Sequence, residues 1–223
     1  MTLTSQRSLS LLIAAALAVA APAAVLAQAA QAPADATAAP AGSPSQLVLS
    51  NSTRILATLE SRRAEFQKDR GALRDFVASE FNNMFDRDYS ARLVLGVHGR
   101  GASDADVKVF ADALADSLMQ RYGSALLSFD TGLKVRVKSE TPLRGGAIVK
   151  VSSEFLRAGN QSTPVDYLMR KSGASWKVFD VMVEGVSFVQ TFRNQFDVPL
   201  QTKSIRQVAA DLRAGKLQAD AGQ

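Results

Sequence analysis

The sequence predicts an α+β domain, a curved antiparallel four-stranded sheet wrapped by helices. Three observations carry that expectation. Between Leu47 and Tyr122, apolar residues recur at the three-and-four spacing of amphipathic helices. Between Leu133 and Val183 the pattern changes to alternation, in four runs separated by turn signals and with no helical stretch between them, as in an antiparallel meander. Helical spacing then returns after Gly185.

The chain has 223 residues, and its first 27 are expected to be a cleaved leader rather than a retained membrane anchor. Arg7 supplies a positive charge, Leu9 to Ala21 is apolar but short for a bilayer span, and Val25-Leu26-Ala27 sets small residues at cleavage spacing. This is the layout of a secretory signal over 1–27, with Gln28 the expected mature start. Residues 28–45 are mostly Ala, Pro, Gly and Ser, cannot bury a core, and are expected to be a disordered linker. A single folded domain is expected over 46–217, with 218–223 a frayed tail.

The first helix is expected from Leu47 to Phe66, with Val48, Ile55, Leu56, Leu59 and Phe66 inward. Gly71 separates it from a second, Ala72 to Phe85, in which Leu73, Phe76, Val77, Phe81, Met84 and Phe85 keep the helical rhythm. Tyr89 to Leu95 is short and ends at Gly96. Ser103 and Asp106 read as a capping box that opens a long helix, with Val107, Phe110, Ala111, Leu114, Leu118 and Tyr122 inward and Gly123 as its stop. The strands are Leu133–Lys138, Ile148–Leu156, Val165–Lys171 and Trp176–Val183, turning at Gly145-Gly146 and Ser172-Gly173. The last strand is apolar on both faces, so both faces should be covered. Ser187 with Gln190 is a second capping box for a helix over Ser187–Phe196, limited by Pro199, and Ser204–Leu212 is a closing helix. Gly71, Gly96 and Gly123 are the candidate hinges.

Composition narrows the function. With no cysteine, disulfides, thiolate metal sites, cysteine catalysis and a lipoprotein anchor are excluded. The net charge of +5 is spread along the chain, which suits weak attraction to an anionic surface or acidic partner face, and no Lys/Arg stripe interleaves with aromatics as a nucleic-acid surface requires. Catalytic readings lack support. His98 is the lone histidine, in a glycine-flanked loop with no nucleophile nearby. Ser187 lacks the second glycine of a nucleophile elbow. Asp86 and Asp88 read as a cap or turn, without further oxygen ligands at calcium-loop spacing. Strict alternation sets Asp180 on the face of Trp176 and Val178, where a buried carboxylate needs a partner, with Arg193 or Tyr167 the candidates. No metal site and no cofactor is expected.

The stretch from Trp176 to Phe196 resembles the signature of the MlaC-type periplasmic phospholipid-binding proteins, also called toluene-tolerance auxiliary components. The match is an aromatic-Lys-Val-aromatic-Asp-Val strand (Trp176 to Val181), then Val183-Glu184-Gly185-Val186-Ser187, then a helix ending Arg193-Asn194-Gln195-Phe196. Phe85 to Gly96 is similar to the family's aspartate-containing turn and Val-Leu-Gly segment, and Phe110, Leu114, Leu118, Arg121 and Tyr122 to its long helix. His98 departs from the aromatic residue usual after the Leu-Gly.

The resemblance implies a periplasmic shuttle. Its cargo would be a phospholipid, carried between an outer-membrane lipoprotein complex and an inner-membrane ABC transporter with its membrane-tethered substrate-binding subunit. It also implies an apolar lipid cavity between helices and sheet. A hopanoid-associated branch shares the pattern and leaves the lipid open. The physics suits a carrier: a diacyl lipid exposes ~30 methylenes at ~0.8 kcal/mol each, so ~25 kcal/mol opposes its release into water. Side chains available to line such a cavity are Val135, Val137, Val149, Val151, Phe155, Tyr167 and Met169 on strands, and Phe110, Leu114, Phe188 and Phe192 on helices. For any one of them plain core packing is the favoured reading, and the lipid-lining role is expected of a share of the set. A pocket enzyme acting on a small apolar substrate, and an adaptor that binds membrane partners without lipid, remain as alternatives.

Overall fold

Serine and aspartate caps set where the helices start. In the computed structural model, which describes residues 42–128, 132–157 and 162–221, Ser43 caps α1 (Pro44–Ser61), Asp69 caps α3 (Arg70–Met84) and Asp86 caps α4 (Arg87–Leu95). Ser103 caps α5 (Asp104–Tyr122), Ser187 caps α6 (Phe188–Thr202) and Ser204 caps α7 (Ile205–Arg213). In each case the side-chain oxygen accepts from the amide three residues on, one of the donors a helix start leaves unpaired. The short α2 (Arg63–Lys68) has no side-chain cap hydrogen bond.

The expected helix from Leu47 to Phe66 is therefore two, broken at Arg62, and the break brings Phe66 against Leu59, Leu73 and Leu127 in one buried cluster. Gly71 is not the separator; it lies inside α3, and the chain breaks at Asp69, whose carboxylate takes the Ala72 amide. Of the two anticipated capping boxes, neither is reciprocal. Ser103 bonds the Asp106 carboxylate and amide, and Gln190 turns to Asn194. The reciprocal box is at Ser204 and Gln207. Helix α6 runs through Pro199 to Thr202, because the apolar stripe Phe192, Phe196 and Leu200 stays buried past the proline.

Five antiparallel strands form one sheet in chain order: β1 (Lys134–Leu143), β2 (Ile148–Leu156), β3 (Ser162–Ser172), β4 (Ser175–Val183) and β5 (Val186–Ser187). The sequence pattern accounts for the four long strands and not for β5. Glu184 and Gly185 both adopt positive φ (52° and 84°), the condition for a tight two-residue hairpin, so Val186 and Ser187 fold back onto Val183 and Met182 before α6 begins.

One sheet face packs against α1. Val149, Val151, Val165, Tyr167, Met169 and Val178 are buried there with Val48. Ser52 hydrogen-bonds the Tyr167 hydroxyl, whose pKa burial pushes up, and the Ser45 amide donates to Glu140 of β1. A second, separate core joins Leu95 of α4, Val107 and Phe110 of α5, Phe196 of α6, and Val208 and Leu212 of α7. With the cluster of Phe66, Leu59, Leu73 and Leu127, the helices thus contribute to three buried clusters. The C-terminal residues, expected to fray, are packed as far as Ala221: the Ala219 amide donates to Ser117, and Asp220 holds Arg121 and Tyr122. The expected domain start shifts likewise, since Pro44 and Ser45 are already buried. The expected signal segment and most of the linker lie outside the described residues.

Candidate functional site

A bulge in β4 builds the site. Leu168 pairs with Asp180, yet Met169 pairs with Val178, so Phe179 is an extra residue. The insertion reverses the alternation. Val178 belongs to the α1 layer with Met169, whereas Asp180 shares the opposite face with Leu168. This is why Asp180 does not stand beside Trp176 and Val178 as unbroken alternation requires.

Phe179, Asp180 and Val181 form one wall of a cavity of about 920 Å³. Its other walls come from helices. Val77 and Phe81 of α3, with Phe85 just beyond it, supply one side; Leu114, Leu118 and Met119 of α5 a second; Phe188, Val189 and Phe192 of α6 a third. Val94 and Leu126 complete the apolar lining. Charged groups on the walls include pairs: Arg87 with Asp112 at 2.7 Å and, more loosely, Arg213 with Asp116 at 3.9 Å. The volume lies at the upper end of the roughly 300–1,000 Å³ range of small-molecule pockets.

Asp180 is buried, at 6% exposure, and it is a helix cap rather than a reacting group. Ser187 donates to Oδ2 at 2.6 Å and the Val189 amide to Oδ1 at 3.0 Å, so the carboxylate holds the first turn of α6 onto β4. Burial pushes its pKa above the ordinary 3.8, against the lowering effect of Ser187 and the backbone amides. Neither anticipated partner is the one found. The Arg193 guanidinium lies over Gly96, with Nε 2.7 Å from where a Cβ would stand, and Tyr167 is occupied by Ser52.

Asp86 acts at the other end of the same wall. It caps α4, accepts from Arg170 of β3 at 2.6 Å, and its amide donates to the Val178 carbonyl at 2.8 Å. Arg170 in turn lies over the Tyr89 ring, which meets Phe179 edge-on at 5.3 Å. His98 is not among the lining residues; it bonds Asp197 of α6 at 3.0 Å, and that hydrogen bond, then the one from Gln201, holds the Asp197 carboxyl below its usual range. Among the described residues no group of three or more His, Asp or Glu side chains is arranged to hold a metal ion.

Of the residues singled out from the sequence, the structure brings Leu114, Phe188 and Phe192 together on the cavity. Phe110 is fully buried, edge-on to Phe196 at 5.5 Å in the helical core. Val149, Val151, Tyr167 and Met169 are buried in the α1 layer, Val137 and Phe155 pack against that layer, and Val135 is half-buried on β1. Lining residues that went unselected include Val77, Phe81, Phe85, Val94, Leu118, Met119, Leu126, Phe179, Val181 and Val189. The α3 pattern did carry a signal. Leu73 and Phe76 pack toward Phe66, while Val77, Phe81 and Phe85, spaced by four, form a second apolar stripe.

Comparison with known proteins bears on the family and the fold. The MlaC protein family matches residues 50–214. The toluene tolerance protein ttg2D of Pseudomonas putida is 28% identical over 166 residues, 72% of this chain and 74% of that protein. A phospholipid-binding protein from Ralstonia solanacearum, solved in complex with a phospholipid, superposes with a TM-score of 0.67 at 20% identity, over 77% of this chain and 97% of the other.

Proposed function

The chain belongs to the MlaC protein family, and from that premise we propose that it carries phospholipid across the periplasm. The observation that carries this reading is the apolar cavity of about 920 Å³ walled by α3, α5, α6 and β4. Hydrocarbon needs area, shape and dryness more than polar contacts, and these walls offer aromatic and aliphatic side chains from separate elements. The named likeness of the Ralstonia protein, which was solved with a phospholipid, supports the same cargo. The leader over 1–27 is that of an exported protein, which suits a periplasmic location. In this reading the donor and acceptor are the outer-membrane lipoprotein complex and the inner-membrane ABC transporter with its tethered substrate-binding subunit.

An enzyme would need a poised base facing the cavity. The buried carboxylate there, Asp180, is engaged as a cap, and Ser90 donates to the Phe179 carbonyl at 2.8 Å. Both groups are committed to holding the walls, so the carrier reading is preferred. It is tested by filling the cavity. Leu114→Trp should lower the phospholipid retained after detergent-free purification by about tenfold or more, with the melting temperature unchanged or raised. A folded Leu114→Trp protein that retains as much lipid as the wild type would contradict the assignment of this cavity as the cargo site.

A further inference from the structure

We propose that Arg87 is the phosphate anchor of the cargo, set where the hydrocarbon cavity meets a polar basin. The proposal rests on the carrier reading above and adds to it a residue that selects for phosphate. Beside the large cavity lies a smaller hollow of about 290 Å³. The two share Asn82, Phe85 and Arg87 as lining residues, so these side chains form the partition between them. The hollow is otherwise polar, lined by Asp86, Asp88, Lys108, Ser172 and Lys177. A diacyl phospholipid has the same division, tails on one side of its phosphate and a polar substituent on the other.

The guanidinium of Arg87 is held firmly but is not fully used. One terminal nitrogen donates to Asn82 at 2.7 Å, and the other to Asp112 at 2.7 Å and more weakly to the Ala111 carbonyl. Its Nε–H is buried and has no hydrogen-bond partner. A buried donor without an acceptor costs about 1–3 kcal/mol, more on a charged group, and is rare in native proteins. A turn of the side chain toward an acceptor that arrives with the cargo would remove that cost. Among the parts of a phospholipid, the phosphate oxygens suit a guanidinium best.

The surrounding charges fit the same placement. Asp112 is shared between Arg87 and Lys108, and Lys177 donates to the Asn82 and Asn83 carbonyls at the end of α3. Asp86 is paired with Arg170. Lys108 and Lys177 therefore face the basin alongside Asp88, cations and a carboxylate together, which suits a zwitterionic head group. The phosphate chemistry itself is shared with free inorganic phosphate; the apolar wall on the other side of Arg87 is what favours a lipid.

The test compares two ligands that differ in the phosphate. Vesicles containing either phosphatidylethanolamine or diacylglycerol with the same acyl chains are incubated with delipidated full-length protein, and uptake is measured. The wild type should favour phosphatidylethanolamine by about tenfold or more, the worth of one charge-assisted hydrogen bond. Arg87→Lys keeps the charge beside Asp112 but lacks Nε–H, and should lose most of that preference, read as the ratio of the two uptakes. If Arg87→Lys folds and keeps the full preference, the anchor assignment fails while the carrier reading stands. If the wild type takes up neither ligand, the carrier reading itself fails.

A measurement on the wild type covers the case in which the variant does not fold. The Arg87 Nε–H resonance, assigned through its own side chain, should shift on loading with phosphatidylethanolamine and not with diacylglycerol. The same shift with diacylglycerol overturns the phosphate assignment. A full shift with inorganic phosphate alone would make this a free-anion site and overturn the lipid assignment.

Discussion

Asp180 shows how one residue joins sheet to helix. It is 6% exposed, and its two oxygens take the Ser187 hydroxyl and the Val189 amide. Removing them in Asp180→Ala should cost about 1–2 kcal/mol, the usual worth of a helix cap, in urea unfolding. Asp180→Asn keeps an acceptor for the amide without a charge to bury, and should match or exceed the wild type near neutral pH. The sign of the pH dependence follows from burial, which raises the folded pKa above 3.8. The folded state then binds the proton more tightly than the unfolded chain does. Its contribution is fully present below about pH 4 and is lost as pH rises through the folded value. The stability of Asp180→Asn relative to wild type should therefore grow as pH rises from about 4. A constant difference across that range would mean that Asp180 is solvated in the native state.

At the scale of elements, the sheet and the helices do different work. The α1-facing side chains of β2 and β3 are a closed core, and the cavity draws only on β4 from the sheet. Val151→Ala, in the closed core, should cost about 1–3 kcal/mol and leave the lipid content unchanged. Loss of lipid from a folded Val151→Ala protein would mean that the sheet face also touches cargo. Most of this architecture was legible in the sequence. The starts of α5 and α6 could be read because Ser103 and Ser187 mark them, and four strands because alternation is a direct imprint of a half-buried sheet. The cavity was harder to read, because an apolar side chain facing a neighbour and one facing a hollow obey the same spacing. Leu114 and Phe110, both on the inward side of α5, end in different surroundings for that reason. The bulge at Phe179 was also invisible, since a single inserted residue leaves the composition of a strand unchanged and alters only which face the following residues take. The fifth strand is two residues long, too short for any period to register.

For the whole molecule, the described residues pack in three buried clusters, the α1 layer, the α4–α7 layer and the group of Leu59, Phe66, Leu73 and Leu127, and leave an open interior beside them. The α1 layer and the α4–α7 layer are each packed on their own, and the cavity lies among α3, α5, α6 and β4. In the carrier reading this interior is left to cargo rather than to side chains. Apolar wall of this kind is costly to leave wet, so cargo and protein each relieve the other of contact with water. The most direct test is native mass spectrometry of the protein purified without detergent. Mass additions that extraction identifies as phospholipid are expected, and a bare protein mass with no lipid in the extract would contradict a phospholipid carrier.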